Sequence, residues 1–133
     1  MAYWLSEVQQ FLAAQGSLSL VSGTNLWTTK MLDTPAAAVC LYDTGGMQPQ
    51  FFLDGTYMER PTMQVITRAV AVDDAWTKAR LIFDILARRG GGALISGGKK
   101  FISFTPIQSP EFLKRDDKDQ AYVTCNYEVL KEV

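Results

Sequence analysis

Residues 39–69, VCLYDTGGMQPQFFLDGTYMERPTMQVITRA, hold the pattern on which the fold turns. The run at 37–42 is short and continuously apolar, as expected of a central strand covered on both faces. It ends in Asp43-Thr44-Gly45-Gly46, residue types that favour local side-chain bonding and positive φ and so read as a tight turn. Residues 44–60 read as a turn region with Pro49 inside it. Within it, Phe51-Phe52-Leu53 pair briefly as a strand before the turn dipeptide Asp54-Gly55. A further strand is expected over 62–70, beginning just after Pro61 so that no ladder hydrogen bond is lost inside it.

Outward from this segment the periodicity changes. In residues 3–15, Trp4, Leu5, Val8, Phe11 and Leu12 fall on one helical face, and Gly16 supplies a stop. Residues 26–32 form a strand candidate. Residues 74–89 form the clearest helix, with Asp73 as N-cap, Trp76, Ala79, Ile82, Phe83 and Leu86 as its apolar seam, and Arg80, Asp84 and Arg88 on the opposite face. Gly90-Gly91-Gly92 end it. Residues 101–107 read as a strand and 111–120 as a charged loop. In the last strand Ala121, Val123, Cys125, Tyr127 and Val129 alternate with Tyr122, Thr124, Asn126 and Glu128, a strict period of two. The expected fold class is α+β: one domain over residues 1–133, with a mixed, mostly antiparallel sheet and two amphipathic helices packed on one face.

Composition sets further bounds. The 133 residues suit a single core, and 13 basic against 14 acidic residues give a net charge of −1. That balance supplies no electrostatic drive toward nucleic acid or an anionic membrane. Residues 1–20 lack a basic leader pattern, and no apolar run reaches the ~20 residues that span a bilayer. With no histidine in the chain, the commonest general base and zinc ligand is missing. Cys40 and Cys125 lie in apolar runs and read as buried free thiols, a disulfide being favoured only in a secreted context.

Three motifs invite chemistry. Asp43-Thr44-Gly45 after a strand is the local pattern of an aspartic protease half-site, whose two carboxylates must share one proton across a homodimer. Two amphipathic helices and the Gly46-Met47-Gln48-Pro49 continuation argue against it, and a turn is the simpler reading. Residues 90–100, GGGALISGGKK, miss the P-loop spacing, with Ala93 and Lys100 where Gly and Ser/Thr belong, and sit between a helix and a strand in the wrong order. They read as a connection that could serve as a contact arm. The run Lys114-Arg115-Asp116-Asp117-Lys118-Asp119 reads as a self-neutralising hairpin tip, not a calcium loop. No catalytic, cofactor or metal site is expected. Trp4, Trp27 and Trp76 are expected in the core.

The order of landmarks resembles a known family. Leu41-Tyr42-Asp43-Thr44-Gly45-Gly46, Pro49, Pro61-Thr62-Met63-Gln64-Val65, the following helix, and the closing Tyr122-Val123-Thr124-Cys125-Asn126-Tyr127-Glu128-Val129 are similar to the small minor capsid and tail-completion (tail terminator) proteins of long-tailed phages. The resemblance covers most of the chain, though the Gly-rich segment is longer than usual. It implies a structural protein, not an enzyme: a hexameric ring that caps the tail tube and joins it to the neck connector or stopper protein. DNA would pass the lumen without specific binding, no membrane would be involved, and the place would be the tail–neck junction of a virion assembled in the host cytoplasm. A head-closure protein of the same neck is the alternative. Exposed loops usually carry recognition, so Gly45, Gly46, Arg60, Arg68, Lys99 and Lys100 are the candidate assembly-interface residues. Charge reversal at Arg60 or Arg68 is expected to impair joining and spare the fold.

Overall fold

A computed structural model describes residues 3–90, 95–96 and 99–133. The chain runs α1 (Trp4–Ala13), β1 (Leu26–Thr28), β2 (Ala38–Phe51), β3 (Tyr57–Ala69), α2 (Val72–Ile85), β4 (Ile95–Ser96), β5 (Lys99–Pro106), β6 (Glu111–Arg115) and β7 (Ala121–Glu132). One seven-stranded sheet has the order β1-β2-β3-β7-β5-β4, and β6 also pairs with β7. The β1–β2 pair is parallel, and the other pairs are antiparallel.

The alternation in β7 explains the layers. Cys125, Tyr127 and Val129 point to the same side as Val39, Leu41, Met63 and Val65, where they meet Leu5, Val8 and Leu12 of α1 and Ile82 and Ile85 of α2. Val123 and Ala69 close the same face against Ala75 and Ala79. Burying each of these Leu or Ile side chains is worth about 1.5–3 kcal/mol, which is what fastens both helices to one face. The expected α+β class holds.

The opposite face is covered only in part. Trp27, Ala38 and Cys40 are buried there with Met31 and Tyr42 packed against them. Cys40 lies across from Ile66 and Thr124, whereas Cys125 aligns with Val65 and Leu41. Adjacent residues of a strand face opposite sides, so the sheet separates the two thiols, and both are buried and free.

Several local expectations give way. Residues 44–51 are not a turn but the second half of β2, and β3 starts at Tyr57, so Pro61 lies inside the strand. The ladder tolerates it because the register shifts between Asp43 and Gly46, leaving Pro61 opposite Gly46. The charged loop is half strand. All five residues of β6 are exposed, and the tight turn after it is held by Asp116, whose carboxylate accepts from the Lys118 amide (3.0 Å), the Gln120 amide (2.9 Å) and the Tyr122 hydroxyl (3.1 Å). Those bonds hold the Asp116 carboxyl below its usual range.

Helix α2 starts two residues early, with Ala71 at the cap position and no side-chain cap; Asp73 and Asp74 sit in its first turn. A π-helical turn, Leu86–Gly90, follows it. The buried seam is Ala75, Ala79, Ile82 and Ile85, which turns Trp76 outward to 45% exposure. Trp27 is buried as expected, and Trp4 is partly buried against the core.

Candidate assembly interface

Beyond Asp43, β2 and β3 run on as a hairpin arm along the sheet, β3 still paired with β7 at Met58 and Glu59, and nearly every residue of β2 in it is exposed. Its base is built around Asp43. One carboxylate oxygen accepts from the Gly45 amide at 3.0 Å. The other accepts from the Tyr3 hydroxyl at 3.2 Å and the Trp4 indole at 3.3 Å. Asp43 therefore closes the bulge in β2 and ties it to the start of α1. Partial burial and the neighbouring Asp43 charge push the Tyr3 phenol up.

The glycines have separate reasons. Gly45 has φ +100° with open space around it, so only its backbone conformation disfavours a side chain. Gly46 has φ +152°, and a Cβ there would sit 2.8 Å from both the Arg60 carbonyl oxygen and the Pro61 Cα. The two strands of the arm pass too closely at that point for any residue but glycine. Thr44 and Thr62 hydroxyls pair across the same crossing at 2.8 Å. Just above it a concavity of about 370 Å³ is lined by Gly45, Gly46, Met47, Pro49, Tyr57 and Arg60, among others.

The tip is apolar. Phe51 packs on Tyr57 with ring centroids 5.0 Å apart. Both remain exposed, as do Met47, Phe52 and Leu53. Asp54 shapes the turn, accepting from the Thr56 hydroxyl (2.6 Å) and amide (3.0 Å), which hold its carboxyl below the usual range. A group of exposed apolar side chains at a hairpin tip is the kind of surface that marks a docking site.

The expected interface residues separate into three places. Gly45, Gly46 and Arg60 gather on the arm, where an Arg60 guanidinium nitrogen lies 3.4 Å from the Met47 sulfur. Lys100 is exposed in β5, on the far side of the sheet. Lys99 belongs to β5 as well, its side chain lying outside the described residues, as do residues 91–94 and 97–98 of the Gly-rich stretch. Arg68 is elsewhere. It is 3% exposed and donates to the carbonyls of Leu32 (2.7 Å), Pro35 (2.8 Å) and Ala36 (3.0 Å), clamping that loop to the outer face of the sheet. The expectation that charge reversal there would spare the fold is thereby revised.

Sequence reasoning passes over Met47, Phe51, Phe52, Leu53 and Tyr57 as contact residues. The signal is nonetheless present: three large apolar residues directly before Asp54-Gly55 stand at a hairpin turn, where no core can reach them.

A helix-backed sheet body that presents an exposed apolar hairpin is the build of a structural assembly module. The chain belongs to the bacteriophage tail terminator family, whose model, described as bacteriophage tail terminator protein, matches residues 12–133; it is a structural protein of a phage-type virion. The same fold occurs in a chain of a solved structure titled "Virion of native gene transfer agent (GTA) particle", with a TM-score of 0.59, 15% identity, and coverage of 96% of this chain and 92% of that one. No curated protein matches the sequence.

Proposed function

We propose that this protein caps the phage tail tube as a homo-oligomeric, hexameric ring and joins the finished tail to the neck connector or stopper protein. The observation that carries the reading, beside the family, is the arm: rooted at Asp43 and Gly46, and apolar and exposed at its tip among the described residues. Exposed apolar surface of this kind is costly to leave in water and is offset only when a partner covers it. The action is surface complementarity without turnover. A net charge of −1 suits a lumen through which DNA moves without being held.

The Asp43-Thr44-Gly45 sequence has a mechanical role in this reading, since both carboxylate oxygens are engaged by Gly45, Tyr3 and Trp4. Light scattering with negative-stain imaging, alone and with assembled tail tubes, tests the proposal. A six-membered ring with a central hole, seated at the end of the tube, is the expected result. A two-fold dimer that cleaves peptides at acid pH and falls silent with Asp43→Asn would overturn it.

A further inference from the structure

One stretch of the outer face is held by very little. Residues 30–37 cross from β1 to β2 as a strap over that face, and all but Met31 and Ala36 are exposed. Among the described residues, 31–36 make no hydrogen bond to other main-chain groups. The carbonyls of Leu32, Pro35 and Ala36 are taken instead by one side chain, the Arg68 guanidinium. Arg68 in turn has no carboxylate within ion-pair distance among the described residues, so strap and guanidinium depend on each other.

The other attachments are slight. Asp33 pairs with Lys118 at 3.8 Å, but both are exposed, and such a pair is worth little in water. Met31 is the apolar anchor, packed on Trp27, Ala38 and Cys40, with the Tyr42 hydroxyl beside its main chain. The chain leaves β1 through Thr29, whose φ of +65° is costly for a β-branched residue. On the other face of the sheet two helices bury Leu5, Val8, Leu12, Ile82 and Ile85. A segment with few buried apolar contacts and no ladder bonds opens at a free energy well below that of the whole domain.

We infer that residues 30–37 form a latched strap, which lifts from the outer face as a unit while the sheet and both helices stay folded, and that Arg68 is the latch. Ordering the strap costs conformational entropy that one guanidinium and one methionine offset only narrowly. Lifting uncovers Trp27, Ala38 and Cys40 together with the guanidinium. The open form therefore offers an apolar strip beside a free positive charge, and the closed form withholds both. The motion goes beyond the ring reading and holds whether or not a ring forms.

Cys40 reports the motion. It is buried in the closed form and burial raises its thiol, whereas alkylation needs an exposed thiolate. The test is iodoacetamide labelling of the wild-type chain, with the labelled sites located by mass spectrometry, set against the unfolding constant from urea titration. Cys40 should react at least about 100-fold faster than global unfolding allows, with little dependence on dilute urea. Ile82→Val, in the helix-covered core, weakens closed and open forms alike, so it should lower global stability and leave Cys40 labelling unchanged. Arg68→Met removes the latch and should speed that labelling about 30- to 150-fold. Should that variant fail to fold, Arg68→Lys takes its place, with a smaller acceleration. Cys40 labelling that matches the global unfolding constant, and speeds with it in Ile82→Val, overturns the strap motion. Labelling that the Arg68 substitution leaves unchanged overturns Arg68 as the latch.

Discussion

Arg68→Met is the substitution that most directly tests how the outer face is held. The guanidinium makes three bonds of 2.7–3.0 Å to carbonyls of the 32–36 loop, and hydrogen bonds to a charged group contribute about 1.5–3 kcal/mol each. Against that stands the cost of keeping a charge 97% out of water (3% exposed), an effective penalty of several kcal/mol. The acceptors belong to a largely exposed loop, where water can replace the lost donor. The net loss is therefore about 2–3 kcal/mol, and with a urea dependence of about 2 kcal/mol per molar the unfolding midpoint should fall by about 1–1.5 M. Arg68→Lys should fall between, because a single ammonium cannot span three diverging carbonyls. Arg68→Glu should cost about 4 kcal/mol or more, since it turns a buried carboxylate toward carbonyl oxygens. Trp27 packs in the same cluster as Met31, so its emission should shift red as the loop lifts. A midpoint for Arg68→Met within about 0.25 M of wild type, or about 0.5 kcal/mol, would refute the clamp, showing that desolvation cancels all three bonds.

Four further outcomes are expected. Gly46→Ala should destabilise by about 2–4 kcal/mol through its backbone collision and Gly45→Ala by only about 1–2 kcal/mol through its φ; equal effects in urea titrations would remove the close-crossing argument. Among the described residues the buried Tyr127 hydroxyl has no hydrogen-bond partner within normal distance, so Tyr127→Phe should be neutral or stabilise by up to about 1 kcal/mol. Burial raises the Tyr127 phenol and pushes Tyr42 up to about 12. Their stabilisation is thus fully present below the unfolded-state value near pH 10 and is lost as pH rises above it, by about 1.4 kcal/mol per pH unit for each phenol. Melting temperatures should therefore drop steeply above pH 10, and less so in Tyr127→Phe. Leu53→Asp, at the exposed tip, should change stability by less than about 0.5 kcal/mol yet reduce joining of heads and tails in an assembly assay; normal joining would take the tip out of the interface.

Much of this architecture is legible in the sequence wherever one face is buried. The period-two pattern of β7 and the spacing of Leu5, Val8 and Leu12 give the sheet, the first helix and the side on which they meet. The arm escapes such a reading for a physical reason: the pairing of residues 44–51 with 57–62 is set by main-chain hydrogen bonds and a bulge, and exposed side chains leave no alternation to read. Strand β6 is hidden for the same reason, being exposed throughout. Asp73 looks like the cap of α2 because it has a capping side chain, whereas the helix begins where the chain leaves β3, at Ala71. Arg68 looks like a surface charge because sequence does not show that the loop at 29–37 folds back over it.

Asp43-Thr44-Gly45-Gly46 shows how a motif can demand its residue types without performing chemistry. An acceptor is required at 43 because three donors from two elements converge on it. A small hydroxyl suits 44, facing Thr62, and glycine is required at 45 for its φ and at 46 for the crossing strand. Each requirement concerns the bulge and the close crossing at the base of the arm. Catalytic and mechanical readings part company at Asp43→Asn: the single amide oxygen can keep the Gly45 bond but not also those of Tyr3 and Trp4, which meet the other carboxylate oxygen, so the joint survives weakened, whereas a proton-sharing carboxylate is lost. A ring that still assembles in the Asp43→Asn variant but fails with Gly46→Ala would locate the motif's purpose in the backbone.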